Sequence, residues 1–185
     1  MAWILLAALA NDTALVRSFG NQVFLSDLGP PQAIAALKHA PPEAIQDAIV
    51  VLLVDRLKND AYAEYLREKQ LEVSAVELER CTAGLKKKGT AGKPGDNARE
   101  MMIAWKANVA LFHEFGGRLV PTLLGLEAID AERALISRYE AKKLIVWANP
   151  NVREAVKSRL GGAVIDVSSD ERSVKEFEAG PRCLH

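Results

Sequence analysis

The chain has 185 residues, of which 49% are hydrophobic and 6% aromatic. A chain of this length and hydrophobic content is globular and can bury a core without a disulfide or a metal ion. Its 24 basic and 24 acidic side chains cancel, so it lacks the overall positive field that nucleic-acid binding uses. Ala, Leu, Glu, Lys and Arg dominate the composition, which favours helices over a β-sandwich or a barrel.

The first ten residues, MAWILLAALA, form a short apolar run that ends in a small-x-small pattern. This pattern is typical of the end of a secretory signal, so it predicts cleavage after Ala10 and export to the periplasm or beyond. The run is short and no Lys or Arg precedes it, so a helix packed on a cytoplasmic domain is the alternative. No later segment approaches the length of a membrane span.

A β-hairpin is predicted next. Two short apolar segments flank Gly20 and Asn21, and Gly20 can adopt a positive φ without penalty, as a tight turn between strands requires. Either Ser26 or Asp27 can then cap a helix, and the pair Pro30-Pro31 fits an early turn of that helix.

The strongest helical pattern covers residues 43–69. Its apolar stripe repeats at steps of mostly three or four residues and consists of Ile45, Ile49, Leu52, Leu53, Leu57 and Ala61. Val50, Val51 and Val54 widen this apolar face. A face of this width indicates either burial on two sides or an exposed patch that binds another molecule.

A capping box starts the next predicted helix, because Glu77 follows Ser74 by three residues. This helix should cover residues 75–87, although Gly84 within it weakens the helical propensity. The stretch GTAGKPGDN at 89–97 contains three glycines and a proline and is the clearest predicted loop, separating two halves of the chain.

Asp96 or Asn97 is predicted to cap a fourth helix that ends at Gly116. Residues 118–126 are apolar but interrupted by a proline and a glycine, which predicts a loop or a short helix. This stretch either lines a groove or fills the core, and we favour the core. Its candidate contact residues are Leu119, Leu123, Leu124 and Leu126.

The remaining sequence predicts two further helices and two short strands. One helix covers 127–142, and a second begins at a capping Asn151 and runs to Leu160. The strands are expected at 144–147 and 163–167, and either of them can pair with the N-terminal hairpin. From residue 168 to 185 the chain is polar and is predicted to be a loose tail.

The two cysteines, Cys81 and Cys183, match no zinc pattern because the sequence contains no CxxC pair. In an exported chain they can form one long-range disulfide, provided that their Cα atoms approach closely enough. Sequence spacing does not determine whether they do.

No catalytic motif is complete. His113 and Glu114 match the start of an HExxH zinc motif, but Gly117 stands where the second histidine is required. His39 and His185 have no motif around them, and no GxSxG elbow, GxGxxG turn or P-loop is present. We therefore predict no catalytic, cofactor-binding or metal-binding residue and no enzymatic activity.

Two segments together are similar to a known chaperone family. They are LVRSFGNQVFLSDL at 15–28 and LVDRLKNDAYAEYLREKQLEVSAVELERCTAGL at 53–85. They resemble SurA-type and other parvulin-associated chaperones, which open with two strands, a tight turn and an acidic residue before the first helix. A long helix, a linker with a capping box and another helix follow. The turn here is Gly20-Asn21, where the family more often has Asn followed by Gly.

The resemblance covers roughly the first half of the chain. It implies a helical chaperone module of the periplasm that binds unfolded or outer-membrane polypeptides. The parvulin domain itself has no counterpart after Lys88, so prolyl isomerase activity is not carried over.

The sequence thus predicts a mainly α fold, a multi-helix bundle with an N-terminal β-hairpin and one or two short C-terminal strands. A single domain over 11–167 is expected between the signal segment at 1–10 and the loose tail at 168–185. The predicted function is non-catalytic binding of unfolded polypeptides, without a cofactor. The candidate contact residues are Val50, Val51, Val54, Leu119, Leu123, Leu124 and Leu126. The alternative is an interaction subunit that docks one fixed protein partner or forms a homodimer through the 43–69 helix.

Overall fold

The computed structural model describes residues 13–37, 39–89, 93–122, 125–160 and 165–184. The fold is mainly α, as predicted, with seven α-helices and two small antiparallel sheets in the described residues. The predicted signal segment at 1–10 lies outside the described residues. None of the described helices is both long enough and apolar enough to cross a membrane.

The α-helices are α1 (Pro31–Leu37), α2 (Pro42–Glu68), α3 (Ala75–Lys87), α4 (Pro94–Phe115), α5 (Ile129–Ala141), α6 (Pro150–Leu160) and α7 (Glu171–Ala179). The strands are β1 (Val16–Ser18), β2 (Asn21–Val23), β3 (Leu119–Pro121), β4 (Leu126–Ala128) and β5 (Ile145–Trp147). Two short 3-10 turns cover Leu25–Leu28 and Arg182–Leu184.

The chain divides into two compact units, where the sequence predicted a single domain over 11–167. The first unit contains the described residues up to Asp60 together with those from Ile136 to 160. The second contains the described residues from Ala61 to Leu135 and those from 165 onward. Helices α2 and α5 therefore contribute residues to both units.

In the first unit, β1 lies between β2 and β5 in an antiparallel three-stranded sheet. The predicted hairpin is confirmed, but its turn residues are Phe19 and Gly20, one position earlier than expected. Both have positive φ, 47° and 89°, as a two-residue turn between twisted strands requires. The predicted pairing of the 144–147 strand with the hairpin is also confirmed, with Val16 opposite Trp147.

The predicted cap at Ser26 or Asp27 differs from the structure. The Asp27 carboxylate accepts a hydrogen bond from the Phe24 N–H at 2.8 Å, so it closes the preceding 3-10 turn. Helix α1 begins later, at Pro31, because the fixed φ of proline suits the first helical position.

Helix α2 agrees with the predicted 43–69 helix to within one residue at each end. Its end is a Schellman motif, in which the Leu71 N–H donates to the Leu66 carbonyl at 2.9 Å and the Gln70 N–H donates to Arg67 at 3.2 Å. Gln70 takes the left-handed conformation, with φ 54°. The predicted stripe is buried at Ile45, Ile49, Leu53, Leu57 and Ala61, whereas Leu52 is half-buried.

In the second unit, the predicted capping box is confirmed. The Ser74 hydroxyl accepts from the Glu77 N–H at 3.3 Å, and the Ser74 N–H donates to the Glu77 carboxylate at 2.8 Å. Helix α3 then has the predicted bounds. Helix α4 begins at Pro94 rather than after a cap at Asp96 or Asn97, since proline is suited to the first helical turn.

A β-hairpin of β3 and β4 replaces the loop or short helix predicted for 118–126, with Leu119 opposite Ala128. Gly125 has φ 144° in the connection, which only glycine adopts readily. The predicted 127–142 helix consequently starts later, at Ile129, because residues up to Ala128 belong to β4.

The C-terminal part also differs from prediction. The cap of α6 is Asn149, whose side chain accepts from the Asn151 N–H at 2.8 Å, so Asn151 is not the cap. The described residues 165–167 form no strand. The described residues beyond 167 are not a loose tail, because α7 begins at the cap Asp170 and Cys183 is bonded to Cys81.

Candidate functional site

The three predicted contact residues on α2 all belong to the first unit. Val50 and Val54 are buried, with 6% and 8% of their surface exposed, and Val51 is half-buried. Two of the three therefore present almost no surface in this conformation. Contact between this face and a polypeptide client stays a prediction.

The other predicted contact residues lie in the β3–β4 hairpin of the second unit. Leu119 is fully buried, whereas Leu126 is half-buried. Leu123 and Leu124 lie outside the described residues. The structure thus places the described candidates in different units, and Leu119 fills a core, as favoured for this apolar stretch.

The second unit contains a buried polar cluster that the sequence pattern did not reveal. Its members are Tyr62, Asn108 and Glu132, none more than 4% exposed. The Tyr62 hydroxyl donates to the Glu132 carboxylate and accepts from the Asn108 amide at 3.0 Å. The Asn108 carbonyl oxygen accepts the Ala128 N–H at 2.8 Å. These hydrogen bonds join α2, α4, α5 and the last residue of β4, and they satisfy the polar groups that the cluster buries.

Burial is the main reason that the pKa of Tyr62 lies well above its ordinary value, and the negative field of Glu132 and Glu127 raises it further. The hydrogen bond from Asn108 acts in the opposite direction. Tyr62 consequently stays a neutral hydrogen-bond donor. Because the three side chains are buried, a substrate could not reach them in this conformation, and we assign the cluster a structural role.

Two carboxylates organise ion pairs nearer the surface. In the first unit, Glu140 accepts from Arg153, Lys157 and the Trp147 indole. Burial alone would raise the pKa of Glu140, but these hydrogen bonds outweigh burial and lower it. In the second unit, the Arg118 guanidinium donates to both carboxylate oxygens of Asp130, from Nε at 2.9 Å and from Nη2 at 2.8 Å.

The arginine lowers the pKa of Asp130 to about 2. A Cβ at Gly117 would lie 2.6 Å from the Cβ of Asp130, so this ion pair sits against a close-packed turn. Asp130 and Glu140 lie in the first and the last turn of α5, so these ion pairs involve the two ends of one helix.

The two described histidines, His39 and His113, belong to no group of side chains that could hold a metal ion. His113 is exposed and pairs with Glu178 at 3.1 Å, and His39 is exposed as well. His185 lies outside the described residues. Within the part of the chain that the structure describes, no group of three His, Cys, Asp or Glu side chains is placed to hold a metal ion.

The second unit has an apolar surface built by two helices, which we call the α3–α4 face. It consists of Leu78, Cys81 and Leu85 of α3 and Ala98, Met102 and Trp105 of α4. The C-terminal segment, residues 171–184, packs on this face through Cys183 and Leu184. The disulfide between Cys81 and Cys183 joins the two covalently, with 4.8 Å between the Cα atoms.

Further contacts hold the C-terminal segment, in addition to the pair between His113 of α4 and Glu178 of α7. The Trp105 indole N–H donates to the backbone carbonyl of Phe177 at 2.7 Å. The Phe177 ring packs edge-on against Phe112, with 5.8 Å between ring centroids. At Gly84 the Cys183 backbone lies so close that a Cβ would overlap its carbonyl oxygen.

Sequence reasoning missed that the C-terminal segment packs on this face because the two are far apart in the chain, with 102 positions between Cys81 and Cys183. Two signals were available: a glycine inside a helical pattern, Gly84, and the pair of cysteines. Neither indicates by itself which segment approaches the helix.

Several large apolar side chains remain exposed. On either side of the Ser74 cap, Leu71 is 40% and Val76 is 65% exposed. Ile165, just before the C-terminal segment, is 76% exposed. Single exposed apolar residues are common on monomers, so they become a site only if a partner covers them.

Comparison with known proteins gives no relative from which a function could be transferred. The chain matches no protein-family model, no curated protein and no solved structure.

Proposed function

We propose that this chain is a non-catalytic, chaperone-like module that binds unfolded or extended polypeptides, in the manner of the N-terminal domain of SurA-type chaperones. The observation that carries the proposal is the order of elements. The hairpin β1–β2, the acidic turn at Asp27, the first helix α1, the long helix α2, the capping box and α3 follow one another, which is the order that the resemblance implies.

The disulfide supports a site of action outside the reducing cytosol. Structural disulfides persist in oxidising compartments such as the bacterial periplasm and are rare in cytosolic proteins. The Cys81–Cys183 bond therefore favours a periplasmic or exported protein, which agrees with the signal segment predicted at 1–10.

The proposal is tested by the aggregation of a chemically unfolded client. The client is diluted into buffer with an equimolar amount of the chain, in separate samples of the disulfide-bonded and the reduced form, and aggregation is followed by light scattering. We expect suppressed scattering, since a polypeptide-binding module sequesters exposed apolar segments. Unchanged scattering for several unrelated clients would contradict the proposal, and a folded protein of similar size and charge controls for non-specific protection.

A docking subunit for one fixed partner is the second candidate. It is favoured by the exposed Leu71 and Val76, which flank the Ser74 cap and could form part of a small dedicated interface. This candidate predicts one stable complex or a homodimer and no general protection of clients. Size-exclusion chromatography with multi-angle light scattering distinguishes it, because a homodimer doubles the measured mass.

A further inference from the structure

We propose that the α3–α4 face is the polypeptide-docking surface of this chain, and that the C-terminal segment occupies it as a covalently tethered ligand. This inference rests on the proposed function, because it names the surface through which a client polypeptide binds. When the segment leaves the face, the client takes its place. The client that fits has an aromatic anchor and a nearby aliphatic residue, as the segment does.

Two of the contacts that seat the segment are made to its backbone. Trp105 donates to a carbonyl oxygen of the main chain, that of Phe177. Gly84 leaves room for the main chain of Cys183, because any larger residue would collide with it. Every polypeptide carries the same backbone groups, so contacts of this kind suit recognition of varied sequences.

The side chains that enter the face are apolar and few. Phe177 packs on Phe112, and Cys183 and Leu184 pack on the helical cluster. Two charged side chains of α7 point to solvent, since those of Glu171 and Lys175 are 91% and 79% exposed, whereas Glu178 pairs with His113 at the edge of α4. The segment therefore presents an amphipathic helix with an aromatic anchor to an apolar surface, which is a common mode of peptide recognition.

The disulfide keeps the face occupied. A tethered segment acts at an effective concentration of about millimolar, which exceeds that of a client in solution. With both sulfurs bonded, the segment returns to the face after each opening. Cleavage of the bond, in which a dithiol gives two protein thiols and is itself oxidised to a disulfide, leaves the segment attached through the main chain alone and lowers this advantage.

The test measures binding of a synthetic peptide with the sequence of residues 171–184, carrying Cys183→Ser and a fluorescent label. The receptor is the full chain in three forms: disulfide-bonded wild type, Cys183→Ser, and Phe177→Ala/Cys183→Ser. Lys175→Ala, at an exposed position of α7, is the matched control. Fluorescence anisotropy reports binding, and helical circular dichroism verifies that each form is folded.

We expect the peptide to bind the double variant at least tenfold more tightly than the wild type, while Lys175→Ala behaves like wild type. Equal affinities for the folded double variant and the wild type would overturn the proposal. A concentration-dependent dimer of Cys183→Ser in size-exclusion chromatography, with no binding of the peptide, would also overturn it and make a second copy the occupant.

Hydrogen exchange of the unmodified chain tests the proposal even if the double variant does not fold. The amides of α7 should exchange through a local opening, faster than those of α3 and α4. Exchange of α7 only at the rate of global unfolding would show that the segment is an inseparable part of the core, and would overturn the proposal.

The client-aggregation assay separates a failure of this inference from a failure of the proposed function. If another surface binds the client, wild type and the double variant protect it equally. If the chain is not a polypeptide-binding module, neither form protects a client. If the double variant protects the client from aggregation more strongly than the wild type does, the result supports both the proposed function and this inference.

Discussion

At the scale of single residues, Gly84 occupies a position at which glycine ordinarily weakens a helix by about 0.5–1 kcal/mol relative to alanine. Its presence inside α3 is explained by the Cys183 backbone, whose carbonyl carbon would lie 3.1 Å from a Cβ at this position. The local cost to the helix is therefore offset by close packing of a distant segment.

Replacing Gly84 with alanine should destabilise the protein by about 1–3 kcal/mol, because the added methyl group displaces the C-terminal backbone. Gly95 provides the matched control, since it lies in the first turn of α4 and a Cβ there meets nothing within 4 Å. Gly95→Ala should be neutral or stabilising by up to about 1 kcal/mol. Urea denaturation measures both variants, and a gain in stability for Gly84→Ala would contradict the steric explanation.

At the scale of elements, helices α2 and α5 end in the same way without a glycine. Gln70 and Lys143 each take positive φ, and the Leu144 N–H donates to Tyr139 at 2.9 Å as Leu71 does in α2. Left-handed conformations are uncommon for such residues. Because no glycine marks them, helix ends of this kind are indicated in the sequence only by the point at which the repeat of apolar residues stops.

The cap of α3 also joins two helices, because the Glu77 carboxylate accepts from Ser74 and from Lys106 of α4 at 2.8 Å. The hydrogen bond from Lys106 is the main reason that the pKa of Glu77 falls from 4.5 to about 2. The stability that this carboxylate contributes is therefore fully present above pH 4.5, and it is lost as the pH falls through about 2.

We expect Glu77→Gln to be less stable than wild type at neutral pH, and the difference to shrink as the pH is lowered from 4.5 towards 2. Chemical denaturation at several pH values in this window measures the difference. Glu79→Gln, at an exposed position of the same helix, controls for the loss of one negative charge. A difference between wild type and Glu77→Gln that stays constant with pH would argue against the charged cap.

At the scale of the whole molecule, the disulfide links residues that are 102 positions apart. A cross-link across so long a loop restricts the unfolded chain, and disulfides of this kind typically stabilise proteins by about 2–5 kcal/mol. It also explains why polar residues beyond 167 form an ordered helix and turn, since Phe177 and Cys183 are buried there.

Cys81→Ala/Cys183→Ala should lower the free energy of unfolding by about 2–5 kcal/mol relative to the oxidised chain. Denaturant titrations with and without dithiothreitol provide the measurement, and the reductant should have no effect on the double variant. Alkylation of both thiols in the folded chain without prior reduction would contradict the bond itself.

The sequence by itself determined most of the helical fold. The periodic stripe of α2, the Ser74–Glu77 box and the turn at Gly20 depend on interactions between near neighbours, so each was predicted within a residue or so. The described candidates Val50, Val51, Val54, Leu119 and Leu126 were identified as apolar, but local pattern does not decide which apolar side chains another segment covers.

Only the tertiary structure decided how distant segments combine. The β3–β4 hairpin consists of three-residue strands that are stable only when paired and packed. The C-terminal segment has a polar sequence and acquires its order from Phe177, Trp105 and the bond to Cys81. These contacts join residues about 70 to 100 positions apart, and no short-range pattern encodes which partners meet.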